Sequence, residues 1–257
     1  MKPESESARR HFMFRLLGAG TAMMLGGCQR LSETAWFPQI LASGEKLSEL
    51  AATTLGPRAM AQEFPASELS PFFRSNGTAE PNTSAYKTLL AHGFSEYRLA
   101  VDGLVEAPRQ FSLAELKSLP ARTQITRHDC VEGWSAIGKW TGVRLSAVLA
   151  AVRPMQQARF VVLHCADPMD ADGTGFYYES IDLADANHEQ TILAYELNDA
   201  PLPVQNGAPL RLRVERQLGY KHAKYVMRLE VVESFAGIAG GRGGYWEDQG
   251  YQWFAGI

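Results

Sequence analysis

Between residues 94 and 235, short alternating segments outnumber helical ones, and no regular strand-helix repeat runs through them. Parallel sheets need a long crossover after each strand, whereas antiparallel ones do not. The pattern therefore predicts an α+β domain with a mixed, largely antiparallel sheet and short helices. Tyr97-Arg98-Leu99-Ala100-Val101 alternates as a strand and runs into the turn Asp102-Gly103. Ser112 and Glu115 form a capping-box pattern that opens a helix over Leu113 to Leu119, stopped by Pro120. Apolar residues at helical spacing predict a second helix from Val143 to Val152, closed by Pro154. Arg159 to Cys165 and Tyr225 to Val232 are predicted strands. So is Leu210 to Glu215, with Arg211, Arg213 and Glu215 on one face and Leu212 and Val214 on the other.

The first 28 residues read as an address. Arg9-Arg10-His11-Phe12 matches the twin-arginine export pattern. The apolar run from Leu16 to Leu25 that follows is too short to span a bilayer, which needs roughly 20 helical residues. It ends Leu25-Gly26-Gly27-Cys28, which resembles a lipoprotein cleavage box with Cys28 as the lipidated residue. The expected localisation is therefore the periplasm or cell envelope, with a lipid anchor and no spanning helix. The twin-arginine route carries folded proteins, as a cofactor inserted before export requires. Residues 29–85 read as an N-terminal extension. Leu47 to Leu55 could form a short helix there, and Gly56-Pro57, Pro65, Pro71 and Pro81 interrupt regular structure. Residues 86–235 form the expected main domain, with contributions from 72–78. Residues 236–257 are a glycine- and aromatic-rich tail.

Hydrophobic residues at 46% and charged residues at 21% suit an ordinary globular core. A net charge of -3 gives no electrostatic footprint for nucleic acid. Three cysteines, Cys28, Cys130 and Cys165, are too few for a disulfide scaffold, a four-cysteine iron–sulfur cluster or a structural zinc site. A redox function therefore needs a cofactor held by few protein ligands. Read from the residues alone, Cys130 is either such a ligand, a core cysteine, or half of a disulfide with Cys165.

The run Arg127-His128-Asp129-Cys130-Val131-Glu132-Gly133-Trp134-Ser135, followed by Trp140-Thr141-Gly142-Val143, bears on that choice. Pro203-Val204-Gln205-Asn206-Gly207-Ala208-Pro209-Leu210-Arg211, Gly219-Tyr220-Lys221-His222-Ala223-Lys224 and Phe72-Phe73-Arg74-Ser75-Asn76-Gly77 accompany it. Together these segments resemble the sulfite oxidase-fold molybdopterin oxidoreductases, in the family's order and spacing. The Cys-Val-Glu-x-Trp-Ser loop is most similar to the periplasmic methionine-sulfoxide reductase branch. The resemblance implies a sulfite oxidase molybdopterin-binding fold, a molybdenum-molybdopterin cofactor and Cys130 as the catalytic protein ligand to molybdenum. It implies cofactor contacts from Asn76, Asn206, Arg211, His222, Ala223 and Lys224. Among these, Arg211, His222 and Lys224 would be cationic partners of the phosphate, and Asn206 a donor and acceptor for the ring. Cys165 falls near a position where that branch carries a hydroxyl residue against the cofactor; its other reading is a buried core cysteine. The basic stretch from Arg211 to Lys224 has an alternative reading too, as a solvated strand edge.

The implied reaction is oxygen-atom transfer, reduction of a small-molecule or protein-bound sulfoxide or similar oxide. The implied electron source is a membrane b-type haem partner, because no haem domain is fused to the chain. The catalytic unit is expected to be a monomer. Sulfite oxidation is the rival reaction, and a cofactor-free binding lipoprotein is the rival class. The tail aromatics Tyr245, Trp246, Tyr251, Trp253 and Phe254 either dock a partner or pack on the domain's own core.

Overall fold

The computed structural model describes residues 59–257 except 171 and 174, with scattered positions between 34 and 50. The twin-arginine run and Cys28 lie outside the described residues, and of Leu47 to Leu55 only Leu47 and Leu50 are described, both helical. The chain divides into two units, Met1–Gly56 and Pro57–Ile257, and the second carries both sheets.

The first sheet contains β1 (Arg98–Gly103), β2 (Arg109–Ser112), β5 (Phe160–Pro168), β6 (Phe176–Asp182) and β10 (Val226–Val232), in the order β2-β1-β10-β5-β6. Only its β1–β10 pair is parallel. The second sheet runs β3 (Ala121–Cys130), β4 (Trp134–Arg144), β7 (Ile192–Leu197) and β8 (Ala200–Pro201), with β9 (Arg211–Arg213) also on β7, all antiparallel. The helices are short: Ser84–Ala91, Leu113–Ser118, Leu145–Val152, Leu183–Ala186 and Tyr245–Asp248. The class is α+β with largely antiparallel sheet. The main core gathers Tyr97, Leu99 and Val101 of β1 and its approach, Leu163 of β5, Leu229 of β10, and Leu145, Val148, Leu149 and Val152 of one helix.

The capping box forms as the sequence dictates. Ser112 Oγ accepts from the Glu115 amide, and Glu115 Oε2 accepts from the Ser112 amide at 2.8 Å. The helix stops at Ser118, ahead of Pro120. Other boundaries move. Val143 and Arg144 end β4 rather than opening the next helix, because Val143 is paired with Ala121 on one side and Leu193 on the other. A β-branched residue suits that ladder better than a helix's first turn. The strand predicted from Leu210 to Glu215 is reduced to Arg211–Arg213. Its charged face is not solvated: Arg211, Arg213 and Glu215 are all buried. Tyr225 stays out of β10, with a positive φ of 55°.

Residues 59–78 lie along the second sheet. The Ala61 amide reaches Gln190 Oε1, the Phe64 amide reaches the Ile125 carbonyl, and Ser70 exchanges hydrogen bonds with Ile137. Phe73 then buries its ring edge-on against Trp140, centroids 5.0 Å apart. This path delivers Asn76 to the end of the β3–β4 hairpin.

Candidate active site

β3 and β4 pair without a break from Ala121↔Val143 to Cys130↔Trp134, so the hairpin's length sets the position of Cys130. The turn is Val131-Glu132-Gly133, where Gly133 at φ +84° adopts a conformation that side chains disfavour and donates its amide to the Cys130 carbonyl at 3.1 Å. Cys130 is half-buried and free, and Cys165 is buried and free, so no disulfide joins them. Burial pushes the Cys130 thiol above its usual range; a hydrogen bond from the Glu132 backbone opposes this, the Glu132 charge adds to it, and Arg211 and Arg74 oppose it.

Cys130 opens on a cleft of about 210 Å³. Its polar lining comes from Asn76, Thr78, Glu132, Asp167, His222 and Lys224. Val131, Met169, Tyr177, Trp246 and Tyr251 line its apolar part. Glu132 Oε2 accepts from Trp134 Nε1 at 2.9 Å, which holds the carboxylate on the turn. Asp167 is buried with Oδ1 lacking a partner among the described residues, and burial raises its carboxyl to about 6.

Lys224 carries a different load from a free cation. Its ammonium donates to the carbonyls of Asn76 at 2.6 Å, Gln205 at 3.0 Å, and Thr78. It therefore ties the 76–78 segment to the Gln205-Asn206 turn. Burial, reinforced by Arg211, lowers its pKa to about 7. Arg211 lies one layer behind, fully buried, donating to the Asn206 carbonyl and Asn76 Oδ1, each at 3.2 Å. Burial and Arg213 bring its pKa down to about 9. His222 Nε2 donates to the Gln217 carbonyl at 3.0 Å, and burial with Arg213 and Arg211 keeps its imidazole well below the usual range. The two neighbouring guanidinium groups and burial thus disfavour a charge on this ring.

Beneath the hairpin end sits a buried layer. Arg213 forks onto Glu215 at 2.8 and 2.5 Å, meets His128 Nδ1 at 3.0 Å and stacks 4.4 Å from the Trp140 ring centroid. A desolvated cation–π contact of this kind is worth about 2 kcal/mol. His128 in turn packs edge-on against His222, centroids 5.0 Å apart. Gly219 lies so close over His128 that a Cβ would meet Nε2 at 2.6 Å.

Among the residues predicted from sequence, Asn76, Cys130, His222 and Lys224 line the cleft. Arg211 is joined to it through Asn76 and Asn206 through Arg211, and Ala223 is buried with its carbonyl bound by the Leu212 amide at 2.8 Å. Cys165 is set apart. It packs in the main core opposite Val226, does not line the cleft, and its thiol is pushed well up by burial. Asp167, Met169, Tyr177, Trp246 and Tyr251 were not singled out as cofactor or substrate contacts. The Asp-Pro at the end of β5 was the available signal for the first of them.

The unmet hydrogen bonds around the cleft bear on whether a phosphorylated pterin fits it. Buried atoms without a partner among the described residues include Asn206 Nδ2, Arg211 Nε, His222 Nδ1, His128 Nε2 and Asp167 Oδ1. Each costs about 1–3 kcal/mol if left so. A ring with several donors and acceptors and an anionic phosphate satisfies such a set, so the residues fit the group.

The fold and this cleft define a molybdenum-cofactor enzyme: residues 87–236 match the family model described as the oxidoreductase molybdopterin binding domain, and the chain belongs to that family as a molybdopterin-dependent oxidoreductase. The relatives narrow this further. The chain is 37% identical over 97% of its length, and 88% of the relative's, to the putative protein-methionine-sulfoxide reductase subunit YedZ1 of Azospira oryzae. It is 39% identical over 63% of its length to the protein-methionine-sulfoxide reductase catalytic subunit MsrP of Xanthomonas campestris, and spans 52% of that protein. The sulfane dehydrogenase SoxCD of Paracoccus pantotrophus aligns over 55% of this chain and 39% of its own, at 24% identity and a TM-score of 0.49.

Arg211→Ala with Lys224→Ala is expected to weaken cofactor retention, since each removes charge-assisted hydrogen bonds worth roughly 1.5–3 kcal/mol. Pterin and phosphate content of the purified double variant, measured beside wild type, checks this. Full occupancy would assign both side chains to holding the 76–78 segment alone.

Proposed function

We propose that this enzyme reduces sulfoxides or closely related oxides, with Cys130 as the protein ligand to molybdenum. The observation that carries the choice of substrate is the placement of Glu132 and Asp167 in the lining of the cleft. Sulfite is an anion, and a carboxylate about 6 Å away opposes it by roughly 3 kcal/mol per unit charge at an effective dielectric near 20. The ammonium of Lys224 is bound by three carbonyls of the chain, whose dipoles offset part of its charge within the cleft. A neutral sulfoxide escapes the repulsion. The names of the relatives agree with this reading.

The molybdenum cofactor, when bound, supplies two-electron chemistry coupled to oxygen-atom transfer. The chain's own residues do the rest. Cys130 is held at a fixed depth by the hairpin register. Asn76, Asn206, Arg211, His222, Ala223 and Lys224 surround the pterin and its phosphate. Glu132, fixed by Trp134, biases the cleft toward neutral substrates. Cys165 supports the site from the core. The electrons come from a membrane b-type haem protein.

Residues 1–28 direct twin-arginine export to the periplasm or cell envelope, and Cys28 carries the lipid anchor. Among the described residues no helix is long and apolar enough to cross a membrane. Replacing Arg9 and Arg10 by Lys is expected to hold the precursor in the cytoplasm, and Cys28→Ala to remove the acyl mass from the mature protein. Fractionation and intact mass spectrometry read both; an unacylated wild-type protein would refute the anchor while leaving export standing.

The activity is tested with the purified holoenzyme in both directions. Reduction of methionine sulfoxide by an artificial low-potential donor is expected, with feeble oxidation of sulfite. Efficient sulfite turnover without sulfoxide reduction would reverse the assignment of substrate and leave the cofactor in place.

A further inference from the structure

The family model ends at residue 236, yet the cleft does not. Trp246 and Tyr251, from the segment beyond it, form part of the lining. Their rings lie 5.4 Å apart, and the Tyr251 amide donates to the Trp246 carbonyl at 2.9 Å, closing the turn that presents them together. Tyr220, from the Gly219–Lys221 turn, meets Tyr251 edge-on at 5.2 Å. Tyr251 is 42% exposed, so the pair reaches from the cleft to the solvent.

This wall is anchored, not draped. Glu247, one residue after Trp246, is buried and bound to Lys221 Nζ at 2.7 Å. Asp248 accepts from Tyr178 Oη at 2.5 Å and from the amides of Gly240 and Arg242 at 2.9 and 3.0 Å. Trp253 Nε1 donates to Ser180 Oγ at 2.8 Å, and the Tyr220 hydroxyl donates to the Gln252 carbonyl at 2.6 Å. The tail aromatics are thereby divided in two. Trp253 packs on the domain, whereas Trp246 and Tyr251 keep ring surface on the same cavity that holds Cys130.

We propose that Trp246 and Tyr251 form the subsite that receives the apolar substituent of the substrate, so that the enzyme prefers oxides carrying a hydrophobic or aryl group beside the oxidised sulfur. The inference rests on the sulfoxide reading above and adds the substituent class to it. Cys130, Glu132, Asp167 and His222 give the cavity a polar region. Val131 and Met169 join the two rings in an apolar one. A sulfoxide likewise combines a polar S–O group with flanking carbon substituents.

The test compares methyl p-tolyl sulfoxide with dimethyl sulfoxide on holoenzyme of equal molybdenum content. Trp246→Ala is expected to lower the ratio of kcat/KM for the aryl over the dimethyl substrate by about tenfold or more, chiefly through KM, as lost uniform binding in an apolar pocket requires. Trp246→Phe should restore most of the preference. Tyr251→Ala, at the exposed end, should act in the same direction and serves if Trp246→Ala fails to fold. Binding of methyl p-tolyl sulfoxide, followed by tryptophan fluorescence, provides a readout independent of turnover. Wild-type binding lost in Tyr251→Ala would support the subsite even if neither sulfoxide were reduced, in which case the sulfoxide reading alone would fail. Equal losses on both substrates in both variants, or unchanged aryl binding, would overturn the subsite.

Discussion

Cys130→Ser is expected to leave a folded protein that has lost activity by more than about 100-fold. Changes to groups that merely support a metal ligand cost 10–100-fold, and on the proposed assignment this change removes the ligand atom itself. The fold should tolerate it, because Cys130 is half-buried at a hairpin end and contributes no core packing comparable to that of Trp140 below it. A hydroxyl is a harder donor than a thiolate and is much less acidic before a metal binds it, so the variant is expected to hold less molybdenum or an altered, inactive centre. Molybdenum by elemental analysis, pterin by fluorescence after release, and turnover should be measured together. Low molybdenum with pterin retained would show that Arg211, Lys224 and Asn206 hold the pterin independently of the metal bond. Unchanged activity would remove Cys130 from the metal.

The parts of the site that were legible in the sequence are those carried by short runs. Cys130 with its turn, Asn206 with Arg211, and the stretch from Gly219 to Lys224 each lie within a dozen residues, and such short runs are what carry the family resemblance that pointed to them. Asp167 and Trp246 join the same cleft only because β5 and the tail come together in three dimensions, and no local pattern records that. The strand around Arg211 shows how a correct periodicity can mislead. Arg211, Arg213 and Glu215 do share a face, but Trp140, His128 and Asn76 cover it, and an alternating charged face ordinarily signals solvent. In the fold, the helix predicted from Val143 began two residues late because pairing with β3 and β7 prevailed over helical spacing. The tail posed the question of partner docking or core packing; Trp253 packs on the domain, and Trp246 and Tyr251 line the cleft.

Lys221 was read as one more cation in a basic stretch, and its environment predicts the largest effect on stability. Its ammonium is fully buried between Glu179 Oε1 at 2.5 Å and Glu247 Oε1 at 2.7 Å, with the Trp253 ring centroid at 5.3 Å. Two carboxylates face one cation, and Glu179 Oε2 and Glu247 Oε2 have no partner among the described residues. Burial drives the Glu179 carboxyl well above its ordinary range, Lys221 pulls it down, and Glu247 pushes it up again. Lys221→Met keeps the volume and removes the charge, leaving two carboxylates buried without compensation. Breaking such a pair costs about 3–5 kcal/mol. The pH dependence has a definite sign. A carboxyl whose folded pKa is raised stabilises the fold below its unfolded pKa and loses that contribution as pH rises through the folded value. Without Lys221 the upward shift grows, so the variant suffers most at neutral and higher pH, and its deficit narrows as pH falls toward the unfolded carboxylate range near 4. Thermal unfolding of wild type and Lys221→Met across pH 4–8 should show the gap in melting temperature closing on the acid side. Adding Glu247→Gln to Lys221→Met should recover part of the loss at pH 7 by removing one of the stranded charges. A gap independent of pH, with no recovery in the double variant, would mean that the lysine stabilises the tail through packing rather than charge.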